Sequence, residues 1–157
     1  MSKIIYTQEN GVVAVVHPSD QSLKEMTIEE IARRVVPVGT TYSIVADSVI
    51  PADRSFRNSW VGVGIGSTSE TTITEDMTKA KELHKAKIRE SRVDKFAELD
   101  VEYQRATETS ADTSAIVAKK QALRDAPAAS GITTAVNTTD LKAQWDTSIL
   151  GSNPYYK

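Results

Sequence analysis

The residues best suited to moving protons or holding a metal are two histidines, and neither stands in a useful spacing. His17 closes a strand-like run beside Pro18, and His84 has no second histidine or carboxylate three or four residues onward. Helical metal pairing needs such a partner. His84 is flanked by Lys81, Lys85 and Lys87, whose charges disfavour imidazolium and make a poor setting for a ligand or a triad base. Both side chains are therefore read as surface histidines. Gly62-Val-Gly64-Ile-Gly66 has the look of a phosphate loop. It lacks the Gly-Lys-Ser/Thr that brings an ammonium to the phosphates, and the next helix is expected some eight residues later. It reads instead as a flexible linker. Paired carboxylates such as Glu29-Glu30 and Glu75-Asp76 fall in expected first helical turns, where they complement the helix dipole. There are no cysteines, which excludes disulfides, thiolate metal sites and cysteine nucleophiles. No nucleophile elbow is present. Catalytic, cofactor-binding and metal-ligating residues are not nominated, and no enzyme is expected.

The elements around these residues divide the chain. Its 157 residues make about one domain, or a small domain with an extension, with 39% hydrophobic residues and a net charge of −2. The longest apolar run, Gly11 to Val16, is far short of the ~20 residues of a membrane span. No charged stretch followed by an apolar one opens the chain, so no signal peptide is expected. Residues 1–63 read as a small α+β unit in the order β-β-α-β-β. Asn10-Gly11 predicts a type I′ hairpin with Tyr6 opposite Val15. Thr27-Ile-Glu-Glu30 has the spacing of a capping box ahead of a short helix. Thr41–Ala46 and the alternation Phe56, Asn58, Trp60 complete the strands.

Residues 64–74 read as a Gly/Ser/Thr linker. From Thr74 to Asp125 there is no Gly or Pro, and basic and acidic residues balance at 11 each. This predicts a helical hairpin over 75–125, opened by a second capping-box spacing at Thr72–Glu75. Its first helix, to about Thr107, is longer than its second, from about Thr113, and Asp112 is a candidate N-cap. Residues 126–157 read as an extended tail with a short helical segment carrying Leu141 and Trp145. Seven cations between Lys79 and Lys95 stand against three acids. Without interleaved aromatics they read as a protein-contact face and not a nucleic-acid one.

The stretch Ile50-Pro-Ala-Asp-Arg-Ser-Phe-Arg-Asn-Ser-Trp60 resembles small proteins of tailed bacteriophages. So do the opening Ile-Ile-Tyr-Thr, Asn-Gly-Val-Val and His-Pro, the later Ile88-Arg-Glu-x-Arg92, Lys95-Phe-Ala-Glu-Leu-Asp100 and Tyr103-x-Arg-Ala106, and the closing Leu-Lys-Ala-x-Trp145. In layout these proteins are similar to tail-fibre assembly proteins. The linker and the last six residues depart from that pattern. The resemblance implies a non-enzymatic structural protein of the virion, in the tail or tail-fibre apparatus. A transient tail-fibre assembly chaperone and a capsid-surface accessory protein are the alternatives. It implies production in the host cytoplasm and residence in the particle. Expected partners are other phage structural proteins or a second copy of this chain; no small-molecule substrate, cofactor, nucleic acid or membrane is expected. The contact residues nominated are Asp53, Arg54, Arg57 and Asn58 in the most specific stretch, Leu83 and Ile88 on the long helix, and Trp145 in the tail. Leu83 and Ile88 enter because the second helix is too short to cover the first half of the long one.

Overall fold

The computed structural model describes residues 2–67 and 70–156. The protein is α+β, with small antiparallel sheets and several helices, and it divides into two compact units, residues 1–76 and 77–157.

In the first unit a three-stranded antiparallel sheet has the order β2-β1-β3, from β1 (Ser2–Thr7), β2 (Val13–Val16) and β3 (Tyr42–Ala46). The predicted hairpin forms, but one residue out of the predicted register: Ile5 faces Val15 and Tyr6 faces Ala14. The reason is the turn. Gly11 alone takes positive φ, at 75°, while Asn10 does not. Gly11 N–H donates to Gln8 O at 2.9 Å, and Gln8 N–H to Val12 O at 2.9 Å. This is a three-residue loop closed by a left-handed glycine, not a type I′ turn. A one-residue shift exchanges the two faces of a strand. Ile5 and Val13 therefore pack with Val45, Ile50 and Trp60, with Val15 against them. Ile4 packs on the opposite face with Ile31, Ala32 and Val36, and Tyr6 and Val16 join it. Central β1 is buried on both faces, which explains its unbroken Ile-Ile-Tyr run.

Each face has its own cover. On one lies α2 (Ile28–Val35), which starts with the predicted capping box: Thr27 N–H donates to Glu30 Oε2 at 2.8 Å, and Glu30 N–H to Thr27 Oγ1 at 3.3 Å. Those bonds, led by the one from the Thr27 backbone, hold the Glu30 carboxyl below its usual range. A short α1 (Asp20–Glu25), capped by Ser19, precedes it and makes the unit richer in helix than expected. On the other face lies a ribbon of β4 (Trp60–Val63) and β5 (Thr72–Glu75).

This ribbon corrects three expectations. Residues 57–59 form a 3-10 turn and the strand begins only at Trp60. Thr72–Glu75 is a strand, with half-buried Ile73 against the core and Thr72 and Thr74 exposed; the capping-box spacing is simply compatible with strand alternation. Among its described residues, the expected linker 64–74 is a fixed loop and a strand. Gly64 takes φ +75°, and a Cβ there would stand 2.8 Å from Glu70 O. Gly66 N–H donates to Ser43 Oγ, while Thr71 Oγ1 bonds both Ser43 Oγ and Gly64 O, at 2.9, 3.1 and 3.1 Å. Composition alone cannot distinguish hydroxyls in solvent from hydroxyls that pin a loop.

The second unit is helical. Its long α3 (Met77–Glu108) pairs with α4 (Ser114–Asp125), as the predicted hairpin requires. Ala111 N–H donates to Ala106 O at 2.8 Å and Ser110 N–H to Thr107 O at 3.2 Å, with Ser110 at φ 54°. That is a Schellman stop with serine at the left-handed position usually taken by glycine. Thr113, not the expected Asp112, takes the N-cap position of α4, and Asp112 Oδ1, one residue before it, accepts from Ser114 N–H at 2.9 Å. The remainder is not an extended tail. After a 3-10 turn at Ala126–Ala128 come α5 (Ser130–Thr134), α6 (Thr138–Ala143) and α7 (Thr147–Leu150). They bury Ile132, Leu141, Trp145 and Leu150, and both α6 and α7 contact α3.

Candidate functional site

On α3, Ala80, His84 and Ile88 recur every four residues, so they form one row on the helix. All three are buried, at 0%, 0% and 1% exposure. Trp145 and Tyr155 close over His84: the Tyr155 ring stacks on the imidazole at 5.6 Å between centroids, and the Trp145 ring meets it edge-on at 6.2 Å. Tyr155 Oη lies 2.9 Å from His84 Nδ1. His84 Nε2 is buried with no partner among the described residues. Whichever nitrogen carries the proton, Nε2 is the site left unpaired, as a buried donor in one tautomer and a buried acceptor in the other. Burial drives the His84 pKa down to about 4 and the Tyr155 pKa up to about 12. Both groups are neutral at physiological pH.

This overturns the reading of His84 as a surface side chain. The neighbouring lysines turn their ammonium groups elsewhere: Lys81 Nζ donates to Thr133 O at 2.6 Å, and Lys85 pairs with Glu82 at 2.8 Å. Long stems let a lysine flank a buried row while its charge stays solvated or paired. The signal for the row was the four-residue spacing of Ala80, His84 and Ile88; Tyr155 carries no such signal. The cluster cannot serve as a base toward a bound molecule, because no face of the imidazole meets solvent. Its role is to fasten the last residues of the chain to α3. Asn153 Nδ2 donating to Lys142 O at 3.0 Å and Trp145 Nε1 donating to Gly151 O at 3.1 Å fasten the same segment from the other side.

Two of the nominated contact residues are therefore core. Ile88 and Trp145 are buried, at 1% and 5% exposure, and Leu83 is half-buried. The first half of α3 is not left bare, because the chain folds its own C-terminal helices onto α3. His17 is exposed as expected, with a pKa lowered first by partial burial and then by Lys3 and Arg54.

Asp53, Arg54, Arg57 and Asn58 do come together, all exposed, on the loop between β3 and β4. Asp53 Oδ1 accepts from Ser55 N–H at 2.9 Å, and Arg57 N–H donates to Arg54 O at 3.2 Å. Beneath them Phe56 and Ser59 are buried, with Ser59 Oγ donating to Phe56 O at 2.7 Å. The buried pair fixes the loop, and the four polar residues ride on it. The Arg54 guanidinium stands 3.5 Å from His17 Nε2.

An exposed apolar row lies on α3. Val93, Ala97 and Val101 form a second four-residue row, turned well away from buried Leu99. Val93 is 62% and Val101 47% exposed. The chain matches no protein-family model, no curated protein and no solved structure.

Proposed function

We propose that this chain is a structural protein of a tailed-phage virion, in the tail or tail-fibre apparatus, and that it works through protein–protein contacts and not catalysis. The observation that carries the contact role is the Val93–Ala97–Val101 row, an apolar strip on the solvent side of a helix whose opposite side is packed. Such a row offers apolar area that a contacting protein would remove from water. The virion assignment is supported by the resemblance in Ile50–Trp60, whose Asp53, Arg54, Arg57 and Asn58 share one exposed loop.

The test is quantitative mass spectrometry of particles purified from the phage that encodes the chain, beside its assembly intermediates. Copies in fixed ratio to tail proteins are expected in finished particles. Presence only in intermediates assigns the chaperone alternative, a fixed ratio to capsid protein in tailless particles assigns the capsid-surface one, and absence from all fractions overturns the reading.

A further inference from the structure

A concavity of about 310 Å³ in the second unit is lined by Lys85, Arg89, Arg92 and Arg124, with Pro127 and Ala128. Four of these six residues are cations and none is a carboxylate, in a chain whose net charge is −2. Lys85 shares its charge with Glu82 outside the rim. Gathering like charges costs electrostatic free energy that an anion in the concavity would relieve.

Two of the cations are already fixed. The Arg92 and Arg124 guanidinium carbons each lie 5.8 Å from the centroid of the Phe96 ring. Arg92 Nη1 also donates to the carbonyls of Leu123 and Arg124, at 3.1 and 3.2 Å, at the end of α4. A guanidinium held in this way has lost its rotamer freedom before any ligand arrives, and its other N–H groups keep the fork geometry that matches a carboxylate.

We propose that this concavity binds an acidic peptide segment of a partner protein, an inference that rests on the contact reading above and names the chemistry of the partner. A polynucleotide fits less well. No aromatic ring lines the concavity to stack a base, and its volume suits side chains and not a tracked backbone.

The experiment is a fluorescence-anisotropy titration of the full chain against a labelled oligoglutamate peptide, with a DNA duplex of equal charge in parallel. Saturable, salt-sensitive binding of the peptide is expected. Arg89→Glu, at an exposed position, should weaken it by about tenfold or more, while Lys119→Glu, on α4 away from the concavity, should leave it within about twofold. If Arg89→Glu loses helix content, the milder Arg89→Gln with Lys85→Gln replaces it. No saturable peptide binding, tighter binding of the duplex, or equal loss in the Arg89 and Lys119 variants would each overturn the proposal. Particle composition is unaffected by any of these outcomes, so failure here is separable from failure of the virion reading.

Discussion

Acid should loosen the C-terminal segment through one residue. In the folded chain the His84 pKa lies at about 4, against 6.5 for a free imidazole. A depressed histidine pKa means that the unfolded chain binds the extra proton first as pH falls. The stability supplied by the neutral form is thus whole above about pH 6.5. It drains away as pH drops toward 4 and does not change further below that. The full shift corresponds to about 3 kcal/mol, and the part lost between pH 7 and pH 5 to about 2 kcal/mol. The geometry says why nothing offsets it: among the described residues burial alone sets the shift, and the two aromatic neighbours, Trp145 and the phenol of Tyr155, cannot stabilise a buried cation as water would. The carboxyls held low, such as Glu30 and Asp112, lose their contribution as pH falls through and below the ordinary carboxylate range, beneath the interval from pH 7 to pH 5. Urea titrations followed by far-ultraviolet circular dichroism, which reports mainly α3 and α4, measure the loss at the two pH values. His84→Asn retains a polar partner for Tyr155 but does not titrate, and it should abolish most of the difference. A direct reading is the NMR titration of the His84 ring protons. An equal loss of stability in wild type and variant, or an imidazole that titrates near 6.5, would refute the reasoning.

Deleting the chain after Gly151 removes Tyr155 from His84; it should cost the second unit about 2–4 kcal/mol by urea denaturation and return the histidine titration toward 6.5. Ile88→Ser should destabilise by about 3–4 kcal/mol and Leu83→Ser by roughly half of that, since only the first is fully buried; equal small effects would make both positions surface. Ser110→Gly should raise stability by about 1 kcal/mol, because serine pays for its left-handed φ. Gly64→Ala puts a Cβ 2.8 Å from Glu70 O at positive φ and should cost about 2 kcal/mol or more, visible as a lower melting midpoint of the first unit.

Much of the first unit was legible because its signals are local. The capping box at Thr27–Glu30 needs only residues three apart, and it forms as read. The hairpin was legible as a hairpin and not in its register, since Asn-Gly serves both a two-residue turn and a three-residue loop in which glycine alone is left-handed. The Gly/Ser/Thr segment misled for a different reason. The Gly66 N–H and the Thr71 hydroxyl bond to Ser43, more than twenty residues away, and no local window contains that partner. The same limit hid His84, whose closest partner is Tyr155, 71 positions later.

The long helix shows why summing hydrophobicity along it could not have placed its surfaces. Ala80, His84 and Ile88 turn toward the C-terminal helices, and Leu99 turns toward α4, while Val93, Ala97 and Val101 turn to the opposite side. Apolar residues on opposite sides of one helix cancel in any measure of amphipathicity, so α3 reads as uniformly charged although it has a packed side and an apolar exposed one. The inward row holds a histidine where an aliphatic residue would pack without an unpaired nitrogen. The outward row holds valines where lysine or glutamate would be better helix formers and better solvated. Neither choice favours the isolated chain. The inward departure makes attachment of the C-terminal segment depend on pH, and the outward one leaves apolar area exposed, which the proposed contact role would cover. Replacing Val93 and Val101 by Lys should therefore leave the stability of the second unit within about 0.5 kcal/mol and still remove the chain from finished particles. A large loss of stability would show that the outward row is part of the fold, and the contact role would then lose its footing.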